Sequence, residues 1–309
     1  MTSENNNTVI EFILLGLSSD PSVQIILFHL FLVVYTATLA GNVLLMVAVR
    51  TDSRLHRPMY FFLTNLSFMD ICYTSIIVPK MLADFLATRK SISFIGCSVQ
   101  IYFYLFLGES ECILLAFMAY DRFVAICNPL RYSTLMNIRV CARMITVVWM
   151  MGCIISSVDI YFIVPLAFCG PNIIDHFFCE APSLLQLSCS DISINNILRL
   201  LGSAILLPVP LVLILFSYIQ IIMSILRIHH GQYKSFSTCF SHLVVVVIFY
   251  GTAMFMYMRP RRSVTDATDK MVSLFYTIIT PMLNPVIYSL RNKDVHKALR
   301  TLKQRSLFV

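Results

Sequence analysis

Seven long apolar stretches constrain this chain more than anything else in it. They fall at roughly 25–49, 58–84, 96–127, 140–165, 196–226, 237–258 and 270–291. Each is about 20 residues or longer, which is enough for an α-helix to cross the hydrocarbon core of a bilayer. In lipid every backbone N–H and C=O must be satisfied within the fold, so a single apolar stretch of this length crosses as a helix. The rest of the chain could not clothe a soluble protein: only 13% of residues are charged and 58% are hydrophobic, against about 25% charged in ordinary soluble domains. The expectation is an all-α membrane protein, a bundle of seven transmembrane helices.

An odd number of crossings puts the termini on opposite sides. The opening segment MTSENNNTVIEF has no basic run and no early apolar core. It does not read as a cleavable signal, so the first crossing directs insertion. Fourteen Lys and Arg fall in the loops and tail on the C-terminal side, Arg50, Arg54, Arg57, Arg131, Arg139 and Arg143 among them. Six fall on the other side: Arg89, Lys90, Arg259, Arg261, Arg262 and Lys270. The excess of basic residues on cytoplasmic loops places the tail inside and the N-terminus outside. The chain then divides into an outer segment, 1–24, a seven-helix region, 25–291, and a cytoplasmic tail, 292–309. Val295, Leu299 and Leu302 recur three or four apart among basic tail residues. That pattern fits a short amphipathic helix on the anionic inner leaflet, with membrane lipids as its partner. The net charge of +7 reflects this inner rim and gives no nucleic-acid signature.

Asn6-Asn7-Thr8 is a glycosylation sequon in the segment placed outside. Asn65-Leu66-Ser67 lies within a crossing, where no glycan can be added. The loops are short except for 166–195, which reads as a lid over the bundle. Four cysteines fall in the outer region, Cys97, Cys169, Cys179 and Cys189. An oxidising exterior lets them pair, and sequence alone leaves three pairings open. The others, Cys112, Cys127 and Cys239 among them, read as small buried apolar residues. No internal repeat of the kind that marks many transporters is visible.

Ionisable and polar side chains within membrane helices are costly and mark function by default. Tyr104, Gly108, Glu111, Leu115, Met118 and Arg122 alternate steps of four and three along the third block, so they share one helix face. That face must point into the bundle. Asp70 reads as the lone acid of the second block, at a depth similar to Glu111. Two neighbouring carboxylates do not both stay ionised cheaply; either one holds a proton or a cation such as sodium sits between them. The seventh block carries a stripe of Ser273, Thr277, Thr280, Asn284 and Tyr288, with Pro281 and Pro285 freeing carbonyls inside it. Tyr250 and Tyr257 lie two turns apart on the sixth block, where spacing alone favours core packing for the first and an interfacial aromatic for the second.

These positions spell out a resemblance. Asp121-Arg122 within MAYDRFVAICNPLRY resembles the inner end of the third helix in rhodopsin-like receptors, and Asn284-Pro285-Val286-Ile287-Tyr288 resembles their seventh-helix signature. Gly41-Asn42, Asp70, Trp149 and Pro210 fall at that family's landmarks. Longer strings are similar to vertebrate odorant receptors: LHRPMYFFL (55–63), MAYDRFVAIC (118–127), Ser217-Tyr218, KSFSTCFSHL (234–243) and PMLNPVIYSLRNKDV (281–295). The resemblance covers nearly the whole chain. It departs from the wider superfamily at Phe249-Tyr250-Gly251-Thr252, which lacks the usual tryptophan and proline, and at Gln232 and Lys234, where no acid is available to hold Arg122. Phe123, Asn128 and Ser235 are mild departures from the odorant branch. Ile278 stands where opsins attach retinal and Tyr104 where amine receptors place an aspartate, so neither of those ligands is expected.

The resemblance implies a multi-pass plasma-membrane receptor for a small, largely apolar volatile. It would signal through a stimulatory heterotrimeric G protein that raises cAMP, and it requires no cofactor. A same-fold receptor for a metabolite outside the nose and a membrane transporter are the alternatives; no Ser-His or metal constellation supports an enzyme. With face arithmetic, the resemblance puts the ligand among Tyr104, Leu105, Gly108, Glu109, Cys112, Gly202, Ser203, Leu206, Tyr250, Ala253, Met254, Tyr257, Tyr276 and Thr277. Asp121, Arg122, Asn284, Pro285 and Tyr288 carry coupling, with Tyr218, His242 and Tyr288 as resting partners of Arg122. The implied disulfides are Cys97–Cys179 and Cys169–Cys189. His176-Phe177-Phe178-Cys179-Glu180 also looks like a soft-metal stretch proposed for some such receptors, with His176 and Glu180 as ligands; it competes with the first disulfide.

Overall fold

The structure is a computed structural model that describes residues 10–169, 171–227, 233–258, 267–290 and 293–306. The sequon at Asn6 lies outside the described residues. Seven helical crossings are present among them. The first four are α1 (Pro21–Thr51), α2 (Pro58–Leu86), α3 (Phe94–Cys127) and α4 (Ile138–Ile163). The fifth is broken at Leu207 into α5 (Ser193–Leu206) and α6 (Pro208–Arg227). The sixth is α7 (Tyr233–Tyr257). The seventh runs through α8 (Ala267–Leu274), a π-helical turn at Phe275–Ile279 and α9 (Thr280–Leu290). A tail helix, α10 (Lys293–Ser306), follows.

Local chemistry sets the helix starts. Asp20 caps α1, accepting from the Ser22 and Val23 amides, with Pro21 in the first turn. Ser93 accepts from Gly96 N and Asn137 from Val140 N at the starts of α3 and α4. Such caps satisfy the orphan donors of a helix N-terminus. On α10, Val295 and Ala298 are buried, and this helix packs on α1 and α9, as the apolar stripe of the tail required. Leu302 lies among side chains outside the described ones.

The crossings are tied by polar side chains at their landmark positions. Pro285 has no N–H, so the Pro281 carbonyl loses its helical donor; Asn42 Nδ2 of α1 supplies one at 3.1 Å. Gly41 permits that approach, because a Cβ there would stand 3.1 Å from Pro285 Cγ. Trp149 Nε1 donates to Asn65 Oδ1 at 3.3 Å, joining α4 to α2, so Asn65 is a packing residue. Gly152 permits the closest contact of α4 with α3: a Cβ there would fall 2.1 Å from Ser110 Oγ and 2.8 Å from the Phe106 carbonyl. One sequence reading needs correcting. Asp70 is not the lone acid of α2; Asp84 sits in its last turn and pairs with Lys80.

A cap closes the end of the bundle that carries the N-terminus. β1 (Glu11–Leu14) is the middle strand of a three-stranded sheet, antiparallel to β2 (Ser91–Ser93) and parallel to β3 (Ile173–Ile174). The segment 1–24, expected only as an outer segment, thus contributes a strand. Phe12, Leu14, Ile101, Phe168, Ile174 and Leu184 form a small core beneath the sheet, separate from the bundle core.

Candidate functional site

Beneath the cap lies a cluster of tyrosines. Tyr104 of α3 hydrogen-bonds through its hydroxyl to Tyr257 of α7 and, at 3.0 Å, to Tyr276 in the π-helical turn. The Tyr276 hydroxyl reaches Ser273 Oγ at 3.2 Å and Glu180 Oε1 of the long loop at 3.5 Å. The Phe178 ring meets Tyr104 edge-on at 5.2 Å, and Tyr73 lies 5.7 Å from Tyr104. The third, sixth and seventh crossings and the lid loop therefore meet at one hydroxyl network. The π turn aligns the polar stripe: Ser273, Thr277, Thr280, Asn284 and Tyr288 are all buried. One level deeper, the Tyr250 hydroxyl donates to the Cys112 carbonyl at 2.8 Å.

The structure brings together some of the expected ligand positions and not others. Tyr104, Tyr257 and Tyr276 are in direct contact; Gly108 faces Tyr73, with its Cβ position 3.8 Å from that ring. Tyr250 and Cys112 are joined, and Ala253 is buried. Thr277 donates to Ser273 O of its own helix. Ser203 likewise donates to Leu200 O, and a Cβ on Gly202 would touch nothing. A recess, open on one side, lies beside the cluster. Of the expected residues only Leu105 and Tyr257 line it; Asp159, Phe162, Asn195, Arg199 and Leu185 contribute most of the rest. The rule that singled out Asp70 and Glu111, ionisable side chains inside a crossing, applies equally to Asp159 and Arg199 and could have found them.

In mid-bundle, Asn284 Nδ2 donates to both Asp70 oxygens at 3.0 and 3.1 Å. Glu111 is buried and close enough to interact electrostatically with Asp70. Three oxygens, Asn42 Oδ1, Glu111 Oε1 and Asn284 Oδ1, are buried with no hydrogen-bond partner.

At the opposite end a relay joins three crossings. The Leu115 carbonyl can only accept, so His242 Nε2 donates to it at 3.1 Å. That leaves Nδ1 to accept from the Tyr218 hydroxyl at 2.8 Å. The same hydroxyl lies 3.2 Å from the Cys239 carbonyl. Tyr218 and His242 thus hydrogen-bond to each other and to backbone rather than to Arg122, which lies near enough to act electrostatically on both and on Tyr288. Tyr288 is buried, and its hydroxyl has no partner. Asp121 accepts from Tyr132 at 2.8 Å, which fixes the following loop to the end of α3.

The cap cysteines are bonded as Cys97–Cys179 and Cys169–Cys189. His176 is fully buried between Phe177 and Phe178, with ring centroids 4.6 and 4.7 Å away. Burial pushes its imidazole down to about 3, helped by the charge of Lys270. It is therefore neutral, and its 3.7 Å approach to Glu180 is not an ion pair. The soft-metal reading of this stretch does not hold. Cys179 sulfur is committed to Cys97, and among the described residues no three His, Cys, Asp or Glu side chains gather as a metal site.

Comparison with known proteins fits this architecture. Residues 31–305 match the family model described as olfactory receptor. The chain is 49% identical to human olfactory receptor 10A7, covering 99% of this chain and 98% of that one. It is 50% identical to human olfactory receptor 13D1, covering 99% and 89%, and 50% identical to mouse olfactory receptor 5AR1, covering 98% of each. The crystal structure of squid rhodopsin superposes with a TM-score of 0.75 at 19% identity, over 94% of this chain and 88% of that one. The fold is thus that of rhodopsin, and the relatives are signalling receptors rather than enzymes. The chain belongs to the olfactory receptor family, as a seven-helix membrane receptor.

Proposed function

We propose that this receptor binds a small, largely apolar volatile beside the tyrosine cluster and activates a stimulatory heterotrimeric G protein that raises cAMP. The N-terminus and cap face outward at the plasma membrane, as the distribution of basic residues favours. The observation that carries the reading is how the sixth crossing is held. Tyr257 lines the recess at its outer end, while Tyr250 and His242 fasten it to backbone carbonyls of α3 lower down. A ligand that contacts Tyr257 differently in two positions of this helix shifts the balance between them. Outward movement breaks the His242–Leu115 bond and opens a cleft beside Asp121 and Arg122, where the G protein docks. Asn284, Pro285 and Tyr288 let the seventh crossing follow.

The same reading places a sodium ion near Asp70 and Glu111. The unpartnered oxygens of Glu111 and Asn284 beside Asp70 suit a hard cation, since buried acceptors need a donor or a metal. The ion would supply charge balance that the side chains lack.

Arg122→Ala tests the coupling. We expect the cAMP response to disappear while surface level and ligand binding persist. Normal signalling at normal surface level would make Arg122 a structural residue and remove this mechanism.

A further inference from the structure

The recess beside the tyrosine cluster holds ionisable groups that the fold leaves unanswered. Its walls are mainly apolar, with Leu105, Phe162 and Leu185 among them, but Asp159 of α4 and Arg199 of α5 also line it. Arg199 Nε is buried without an acceptor, and among the described residues its guanidinium forms no ion pair. Asn195 Nδ2 donates to the Phe162 carbonyl at 2.8 Å, and Asn195 Oδ1 does not accept from Arg199 Nε, which has no partner. Glu109 of α3 interacts electrostatically with Asp159, and its Oε2 is buried without a partner. The acids and the arginine therefore share one region without neutralising each other.

These groups are not equivalent. A carboxyl can take a proton and become neutral, whereas a guanidinium keeps its charge under all physiological conditions. Arg199 is thus the permanent unmet charge of the recess, and its planar fork matches a carboxylate. We propose that the recess selects small monocarboxylic acids, with the carboxylate on Arg199 and the apolar tail along Leu105, Phe162 and Leu185. This rests on the reading of the chain as a chemosensory receptor and narrows its ligand class.

The test uses the purified full-length receptor and its thermal unfolding midpoint, which a ligand raises by mass action. The probes are straight-chain acids of about four to ten carbons at neutral pH, beside the matching methyl esters and primary amines. We expect the acids to raise the midpoint and the other two series to leave it unchanged. Arg199→Gln should move the half-saturating acid concentration by at least about tenfold, the range expected for a charge-assisted hydrogen bond, and Arg199→Lys should recover part of it. Stabilisation by esters or amines as strong as by acids, acid binding that survives Arg199→Gln, or no shift with any series overturns the assignment. If Arg199→Gln does not fold, the ranking of the three series on the unaltered receptor decides. The readout does not depend on a G protein. Acid binding with silent cells would count against coupling only; cellular responses to esters or amines without acids would count against this inference only.

Discussion

The two ends of the bundle are held by different kinds of bond. At the cap, α3 is joined to the long loop through Cys97–Cys179, and the loop is closed again by Cys169–Cys189. β1 adds backbone bonds from Ile13 N to Asn172 O and from Leu14 N to Lys90 O, both 2.8 Å. Lys270 reaches Asp175 at 2.5 Å and the Gly16 carbonyl at 3.3 Å. At the other end, among the described residues, the sixth crossing is fastened to α3 by the hydrogen bond from His242 to the Leu115 carbonyl, steadied by Tyr218. A disulfide typically contributes about 2–4 kcal/mol and a neutral hydrogen bond about 0.5–1.5 kcal/mol net. The cap end is held by the stronger bonds, which suits the proposed function of sensing at that end and signalling at the other.

The largest effect should come from breaking the fixed end. Cys97→Ser opens a bond between residues 82 positions apart and should cost about 2–5 kcal/mol, read as loss of surface expression. Near-normal surface level would mean that the sheet and Lys270 hold the cap without it. Next is the wall that both ends share. Gly152→Ala forces a methyl group against Ser110 and the Phe106 carbonyl, so we expect about 1–3 kcal/mol of overpacking strain. Gly202→Ala, facing open space, should be silent in the same melting assay. Equal effects would show that α4 is free to move.

A smaller effect comes from acid. His176 stays neutral when folded, with a value of about 3 against an ordinary 6.5, so the unfolded chain takes up the proton first. Stability is complete above pH 6.5 and falls as pH drops toward 3. The slope can reach about 1.4 kcal/mol per pH unit. His176→Phe, placed among Phe177 and Phe178, should flatten that slope between pH 6.5 and 5. An unchanged slope would show that other groups carry the acid sensitivity.

The bundle was legible in the sequence because lipid allows so few solutions: seven apolar stretches of helix length can hardly form anything else. The polar stripes on α3 and the seventh crossing were legible for the same reason, since polar side chains must turn inward. Resemblance combined with face arithmetic put Tyr104, Tyr257 and Tyr276 in one candidate site, and Tyr104 touches both of the others; spacing alone favoured an interfacial place for Tyr257. It could not show that β1 enters a sheet, because four residues of alternating pattern pair only with strands made elsewhere in the chain. Nor could it foresee the π turn at Phe275–Ile279, a single extra residue in the helical repeat. The hydrogen bonds of Tyr218 and His242 to the Cys239 and Leu115 carbonyls were not legible, because backbone acceptors carry no sequence signal. Gly202 and Ser203 were placed by resemblance and face arithmetic, yet a Cβ on Gly202 would touch nothing and Ser203 bonds to its own helix.

The smallest perturbation tests the central claim most directly. His242→Phe keeps an aromatic ring but removes the donor to Leu115 and the acceptor for Tyr218. The measurement is basal cAMP, without ligand, in cells matched for surface receptor. A loss of about 1 kcal/mol from the resting state shifts its balance with the signalling state by about fivefold. We predict raised basal cAMP of that order, with a smaller rise for Tyr218→Phe. Basal cAMP equal to or below that of the unaltered receptor would contradict the account, because the releasable end would then not be what holds the receptor at rest.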